Sequence, residues 1–201
     1  MSKTAIFIHG FNVWDGGKAT IGKFIPFWEN VPFKCHELQY GWRGLIGVRI
    51  WNRRTARRLA ELSKVIEGEV VAVGHSNGCA IIHRATRIPG NRISGVVYIN
   101  PALDRDMIPG PKVKFCHVWH NEDDKAVRWA RILMKHPWGP MGAYGYMNPE
   151  NIPPDARVKN YDTGRGFEVA RAKGHSGIFR RPEALAFFGP KTADEAAKEI
   201  A

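Results

Sequence analysis

A chain of 201 residues is long enough to bury roughly 70% of its unfolded surface around one core, and too short for that core plus an independent second domain. Lysine and arginine total 30 against 19 aspartates and glutamates, a formal net charge of +11, which favours polyanions, anionic membrane surfaces or acidic substrates and leaves the fold open. No apolar run approaches the roughly 20 residues of a membrane span, and the three cysteines, odd in number and without metal-type spacing, exclude a disulfide framework.

In chain order, Ala5-Ile6-Phe7-Ile8 is a short continuous apolar run, the form of a strand covered on both faces. It follows the first residues directly, with no signal-peptide apolar core before it. Residues 17 to 29 read as a helix carrying Ile21, Phe24, Ile25 and Trp28 on one side, with Pro26 against its second half. A weaker strand spans Phe33 to Tyr40. From Gly47 to Ile66, Trp51, Thr55, Leu59, Leu62 and Ile66 recur at three- and four-residue steps, an amphipathic helix. The buried run Val70-Val71-Ala72-Val73 enters Gly74-His75-Ser76-Asn77-Gly78, and residues 77 to 88 then place Ile81, Ile82, Ala85 and Ile88 on one helical face before Pro89. Strands are predicted over Ile93 to Ile99 and Val113 to Trp119, and a short helix over Lys125 to Met134.

Strands and helices alternating at these lengths imply a single-domain α/β fold, a mostly parallel sheet of about six strands with helices on both faces. Residues 135 to 156 break the rhythm, with eight prolines and glycines, yet Trp138, Met141, Tyr144, Tyr146 and Met147 point to an ordered flap near the working edge of the sheet. Cys35, Cys79 and Cys116 are read as small buried hydrophobes of a protein in a reducing, cytoplasmic compartment.

A buried strand that ends in Gly-x-Ser-x-Gly and turns at once into a helix has the form of a nucleophile elbow. The tight turn forces Ser76 into a strained conformation and brings neighbouring backbone so close that the flanking positions must be glycine. A serine hydroxyl is a poor nucleophile until a base takes its proton, so the elbow calls for a histidine and an acid that orients it. Such partners come from loops at the carboxyl ends of parallel strands. The acid candidates lie in His120-Asn121-Glu122-Asp123-Asp124, and the later histidines are His136 and His175.

Three motifs in one order resemble the α/β-hydrolase superfamily: His9-Gly10-Phe11 after the first strand, similar to a His-Gly oxyanion loop; Gly74-His75-Ser76-Asn77-Gly78; and Gly174-His175-Ser176-Gly177, similar to the loop that supplies the base. The resemblance runs from residue 5 to about 188. It implies a Ser-His-Asp triad of Ser76, Asp124 and His175, with Asp123 or Asp104 as alternative acids. It also implies an oxyanion hole from the backbone N–H groups of Phe11 and Asn77. His9 and His75 are read as structural, the latter a packing residue pointing away from the serine.

The family's lid position holds only Asn100 to Lys112, so no large helical cap is expected and the site is bordered by Phe11, Val13, Trp14 and Leu103. Such walls suit a small-molecule or lipid-like acyl substrate, and the expected reaction is carboxylic ester hydrolysis without cofactor or metal. Thioester or amide hydrolysis and acyl transfer use the same triad. Arg53, Arg54, Arg57, Arg58 and Lys64 lie mostly off their helix's apolar stripe, a solvated face that could also dock an anionic partner, as would a hydrolase-fold binding module without catalysis. Lys173, Arg180 and Arg181 flank His175 and could meet an anionic substrate. Nucleic-acid binding would rest on charge alone.

Overall fold

The computed structural model describes residues 2–11, 13–41, 48–128, 138–147, 157–164 and 170–200. Six strands, β1 (Lys3–Ile8), β2 (Phe33–Glu37), β3 (Glu69–His75), β4 (Ile93–Ile99), β5 (Phe115–His120) and β6 (Val158–Asp162), form one sheet in the order β2-β1-β3-β4-β5-β6. Every neighbouring pair is parallel. The central β3 and β4 are buried along nearly their whole length, which is why they read as continuous apolar runs.

Alternate residues of each strand feed two separate cores. Ile6, Ile8, Val70, Ala72 and Tyr98 pack on one face with Leu59 of α2 (Val48–Val65) and Ile81 and Ile82 of α3 (Asn77–Ala85). Ala5, Phe7, Val71, Val73 and Val97 pack on the other with Trp28 of α1 (Ile25–Glu29) and, from the carboxyl-terminal helix, Phe188 and Ala193. Trp28 Nε1 also donates to Thr192 Oγ1 at 3.2 Å, joining these two helices. Two shorter helices, α4 (Met141–Tyr144) and α5 (Gly177–Arg180), precede that terminal helix, α6 (Pro182–Glu199). The outward face of α2 exposes Arg49, Arg53, Arg54, Arg57 and Arg58. Among the described residues, no helix is long and apolar enough to cross a membrane.

Several expected boundaries move, for physical reasons. Within 17 to 29 the first half is a 3-10 helix at Ile21–Phe24 and the second half is the α-helix, because Pro26 falls in its first turn, where no N–H is needed. Strand β2 stops at Glu37, although the Leu38 N–H still donates to the Phe7 carbonyl at 2.9 Å. Helix α3 ends at Ala85, where the Thr86 hydroxyl turns back onto the His83 carbonyl at 2.7 Å. Residues 125 to 128 are helical, and the rest of the predicted 125–134 helix lies outside the described residues. The irregular 135–156 segment is described over 138–147, where it contains α4. Strand β6, whose Val-Lys-Asn-Tyr-Asp carries no apolar run, and helix α6 were not anticipated. Cys79 and Cys116 are buried as expected, Cys35 only half so, and none forms a disulfide.

The strand order places a switch between β1 and β3: from β1 the chain moves outward to β2, then returns to the other side and proceeds through β3 to β6. Ligands of open parallel sheets bind at the carboxyl ends of the strands flanking such a switch. The loops leaving β1 and β3 begin with His9-Gly10-Phe11 and Ser76.

Candidate active site

Ser76 sits between β3 and α3 with φ of 55° and ψ of −121°, a left-handed conformation that a non-glycine residue adopts only under constraint. Its N–H donates to the Ile99 carbonyl of β4 at 3.0 Å, and its carbonyl accepts from Cys79 at 3.1 Å and Ala102 at 3.2 Å, so the turn is fastened on both sides. Two residues on, the backbone of Gly78 passes so close to β1 that a Cβ there would stand 2.4 Å from the Ile8 carbonyl oxygen. Gly78 is thus required by contact with β1, and Gly74 by contact with α3, where a Cβ would stand 2.9 Å from the Cys79 nitrogen. A Cβ on Gly10 would lie 3.2 Å from Ser76 Cβ, so the loop after β1 lies against the serine.

The acid and base candidates resolve clearly. Asp124 is completely buried, and its Oδ2 accepts from His175 Nδ1 at 2.7 Å and from Asn100 Nδ2 at 3.1 Å. Its Oδ1 accepts from the Val127 N–H at 3.2 Å. Because the carboxylate accepts a hydrogen bond from Nδ1–H of His175 and so holds the proton on Nδ1, Nε2 is left as the acceptor. Adjacent Asp123 instead points outward to an exposed ion pair with Arg171 at 3.2 Å. Asp104 lies beside Gly139, and His136 lies outside the described residues.

Ser76 and His175 line the same two cavities without being hydrogen-bonded to each other; such contacts are commonly long until substrate arrives. One cavity, about 200 Å³, is walled by Phe11, Ala102, Ala126, Val127 and Trp138. The other, about 370 Å³, is walled by Val13, Trp14, Asp15, Thr20, Ser176 and Arg180. Phe11, Val13 and Trp14 therefore line cavities that also hold Ser76 and His175. Leu103 is a correction: its side chain belongs to the core under the sheet, and Ala102 takes the place at the cavity wall. Trp138, from the irregular segment, stacks at a tilt on Phe11 with ring centres 5.2 Å apart.

Two backbone donors near Ser76 are without a hydrogen-bond acceptor among the described residues. Asn77 begins α3, so its N–H has no acceptor within the helix, and among the described residues the Phe11 N–H has none either. Behind them lies a buried polar network invisible in the sequence. Asn77 Oδ1 accepts from Asn52 Nδ2 and from Trp138 Nε1, both at 2.8 Å, while Asn77 Nδ2 donates to Asn52 Oδ1 at 3.0 Å and to the Tyr40 hydroxyl at 3.3 Å. The Tyr40 hydroxyl in turn donates to the Gly10 carbonyl at 2.6 Å. One chain of bonds thereby links both candidate oxyanion donors. No sequence spacing reports such contacts, although four buried polar residues near one strand end are a signal that burial prediction could raise.

The remaining histidines support this geometry. His9 is buried, stacks on Tyr40 with ring centres 4.2 Å apart, and its Nδ1 pairs with the Gly10 carbonyl at 2.8 Å. His75 is also buried, and its Nε2 donates to the His175 carbonyl at 3.1 Å, with the two rings 4.8 Å apart. Burial, with repulsion from His175 second, pushes its pKa down to about 3; burial beside Arg87 and Arg84 pushes that of His83 down to about 4. Between those values and 6.5 the unfolded chain binds protons that the folded chain does not, so stability falls as the pH falls. The thermal midpoint is expected to be several degrees lower at about pH 5 than at about pH 7, by calorimetry; a flat profile would contradict neutral buried rings. Among the described residues, no group of three or more histidines, cysteines or carboxylates could hold a metal ion.

The sequence matches no protein-family model and no curated protein. Solved structures do match. The mouse alpha/beta hydrolase domain-containing protein 10 is 16% identical, with 98% of this chain and 90% of that one covered and a TM-score of 0.61. A monoacylglycerol lipase from Paleococcus ferrophilus is 13% identical, with 98% and 94% covered and a TM-score of 0.59. Est1E from Butyrivibrio proteoclasticus is 11% identical, with 98% and 88% covered and a TM-score of 0.60. The chain has the α/β-hydrolase fold.

Proposed function

We propose that this protein is a serine hydrolase that cleaves a carboxylic ester through an acyl-enzyme, with Ser76 as nucleophile, His175 as base and Asp124 as the acid that orients it. The observation that carries the reading is the buried Asp124 carboxylate 2.7 Å from His175 Nδ1, with the imidazole sharing both cavities with a serine held at positive φ. With its Nδ1–H kept in a hydrogen bond to the Asp124 carboxylate, His175 takes the Ser76 proton on Nε2 as the oxygen attacks the carbonyl carbon, and Asp124 stabilises the imidazolium that forms. The N–H groups of Phe11 and Asn77 meet the tetrahedral oxyanion, each worth on the order of 3 kcal/mol in the barrier. His175 then returns the proton to the leaving oxygen, and water, activated by the same base, releases the acid.

The small apolar cavity takes the acyl group, and a volume near 200 Å³ fits a compact chain better than a long one. Trp138 reaches the wall of this cavity, so the start of the described stretch 138–147 borders the acyl side. Thiols outside any disulfide suit a reducing compartment such as the cytoplasm. A fluorophosphonate probe should label the wild type covalently and leave Ser76→Ala unlabelled. A folded, unlabelled wild type would sink the reading; if it also bound heparin in a salt-sensitive way, the arginines exposed on α2 would be the functional surface of a binding module.

A further inference from the structure

The two cavities meet at Phe11, Ser76 and His175, and they differ in chemistry. A carbonyl carbon seated at Ser76 has two substituents, an acyl chain and a leaving group. Among the described residues, the smaller cavity, bounded by Ala102, Ala126, Val127 and Trp138, holds no ionic side chain besides the triad histidine and suits the acyl chain. The larger one adds Arg180 and the Ser176 hydroxyl. Resting on the hydrolase reading, we propose that this second cavity receives the leaving group and selects one bearing a carboxylate or phosphate, bound by the Arg180 guanidinium and the Ser176 hydroxyl.

Among the described residues, neither of these groups has a protein partner, whereas the cations around them do. Arg181 donates to the Arg171 carbonyl, Arg171 pairs with Asp123, and Lys23 donates to the Phe179 carbonyl at 2.9 Å. Arg180 is thus the cation at the cavity whose fork of donors is unused. Asp15 places a carboxylate in the same cavity, but its oxygens already accept from the Gly17 N–H at 2.9 Å and the Ala19 N–H at 2.6 Å. Those amides hold its pKa low, so it serves its own loop and does not pair with Arg180. Trp14, 78% exposed at the lip, offers the same leaving group an aromatic face.

The test compares p-nitrophenyl butyrate with its ring-carboxylated and ring-phosphorylated counterparts, reading each charged ester's kcat/KM as a ratio to the neutral one. Arg180→Ala is expected to lower the ratio about tenfold, the scale of one charge-assisted hydrogen bond at a half-open site, and Arg180→Lys about threefold. Lys198→Ala removes an exposed cation of α6 that pairs with Glu195 outside the cavity and should leave the ratio within about twofold, as the screened field of a distant charge requires. The charged ester with the larger loss identifies the anion preferred. A ratio that Arg180→Ala does not move overturns the proposal, and a neutral polar leaving group then fits the cavity. A second readout needs no turnover: binding of the intact carboxylated ester to Ser76→Ala protein should weaken about tenfold when Arg180→Ala is added. If that holds while the wild type hydrolyses no ester, the anion site stands and the reaction assigned to it falls; if esters are cleaved but neither readout responds to Arg180, the reverse is true.

Discussion

Replacing His175 with alanine is expected to lower kcat for a p-nitrophenyl ester about a millionfold, since removal of a triad base commonly costs about as much as removal of the whole set. The change is local. The His175 side chain, 22% exposed, is bonded only to Asp124 among the described residues and stacks on His75, and Asp124 keeps its bonds from Asn100 and Val127. The variant should therefore fold, with a somewhat lower midpoint from a buried carboxylate that has lost one partner. Exogenous imidazole, small enough for the vacated space, should restore part of the rate. Retention of more than a few per cent of kcat would show that another group is the base.

The second large effect discriminates between neighbours. Asp124→Asn should cost about ten-thousandfold in kcat, because an amide facing His175 Nδ1 can donate to it, shifting the imidazole proton to Nε2 and leaving no base toward Ser76. Asp123→Asn removes an exposed pair with Arg171 and should change kcat less than twofold, as isolated surface ion pairs are worth at most about 1 kcal/mol. Comparable losses in the two variants would refute the assignment of Asp124. Measured side by side against one ester, they test the geometry of the acid independently of the serine.

Much of this arrangement was legible in one dimension because its causes are local. The runs at residues 5–8, 70–73 and 93–99 name strands covered on both faces, and all three are interior in the sheet order. Gly74-x-Ser76-x-Gly78 announces a turn so tight that the positions two before and two after the serine must lack a side chain, and Ser76 has the positive φ that such a turn imposes. Strand β6 escaped notice because it lies at the edge of the sheet, half-exposed, where polar residues replace the apolar signal. Pro26 looks in the sequence like an interruption and is in the structure a start, since a proline's effect depends on which turn of a helix it occupies.

By itself the sequence determined the α/β alternation, the strained serine and the order in which serine, carboxylates and histidine appear, all of which follow from backbone sterics and periodicity within a few residues. The tertiary structure decided which of two adjacent aspartates is buried against His175, that Ala102 and not Leu103 reaches the cavity, and that Tyr40, Asn52, Asn77 and Trp138 share one network. Those outcomes depend on which side of a loop faces the core and on contacts between residues up to 61 positions apart. A polar group can be buried only where the folded chain brings it partners, and that pairing is a property of the assembled sheet rather than of any segment.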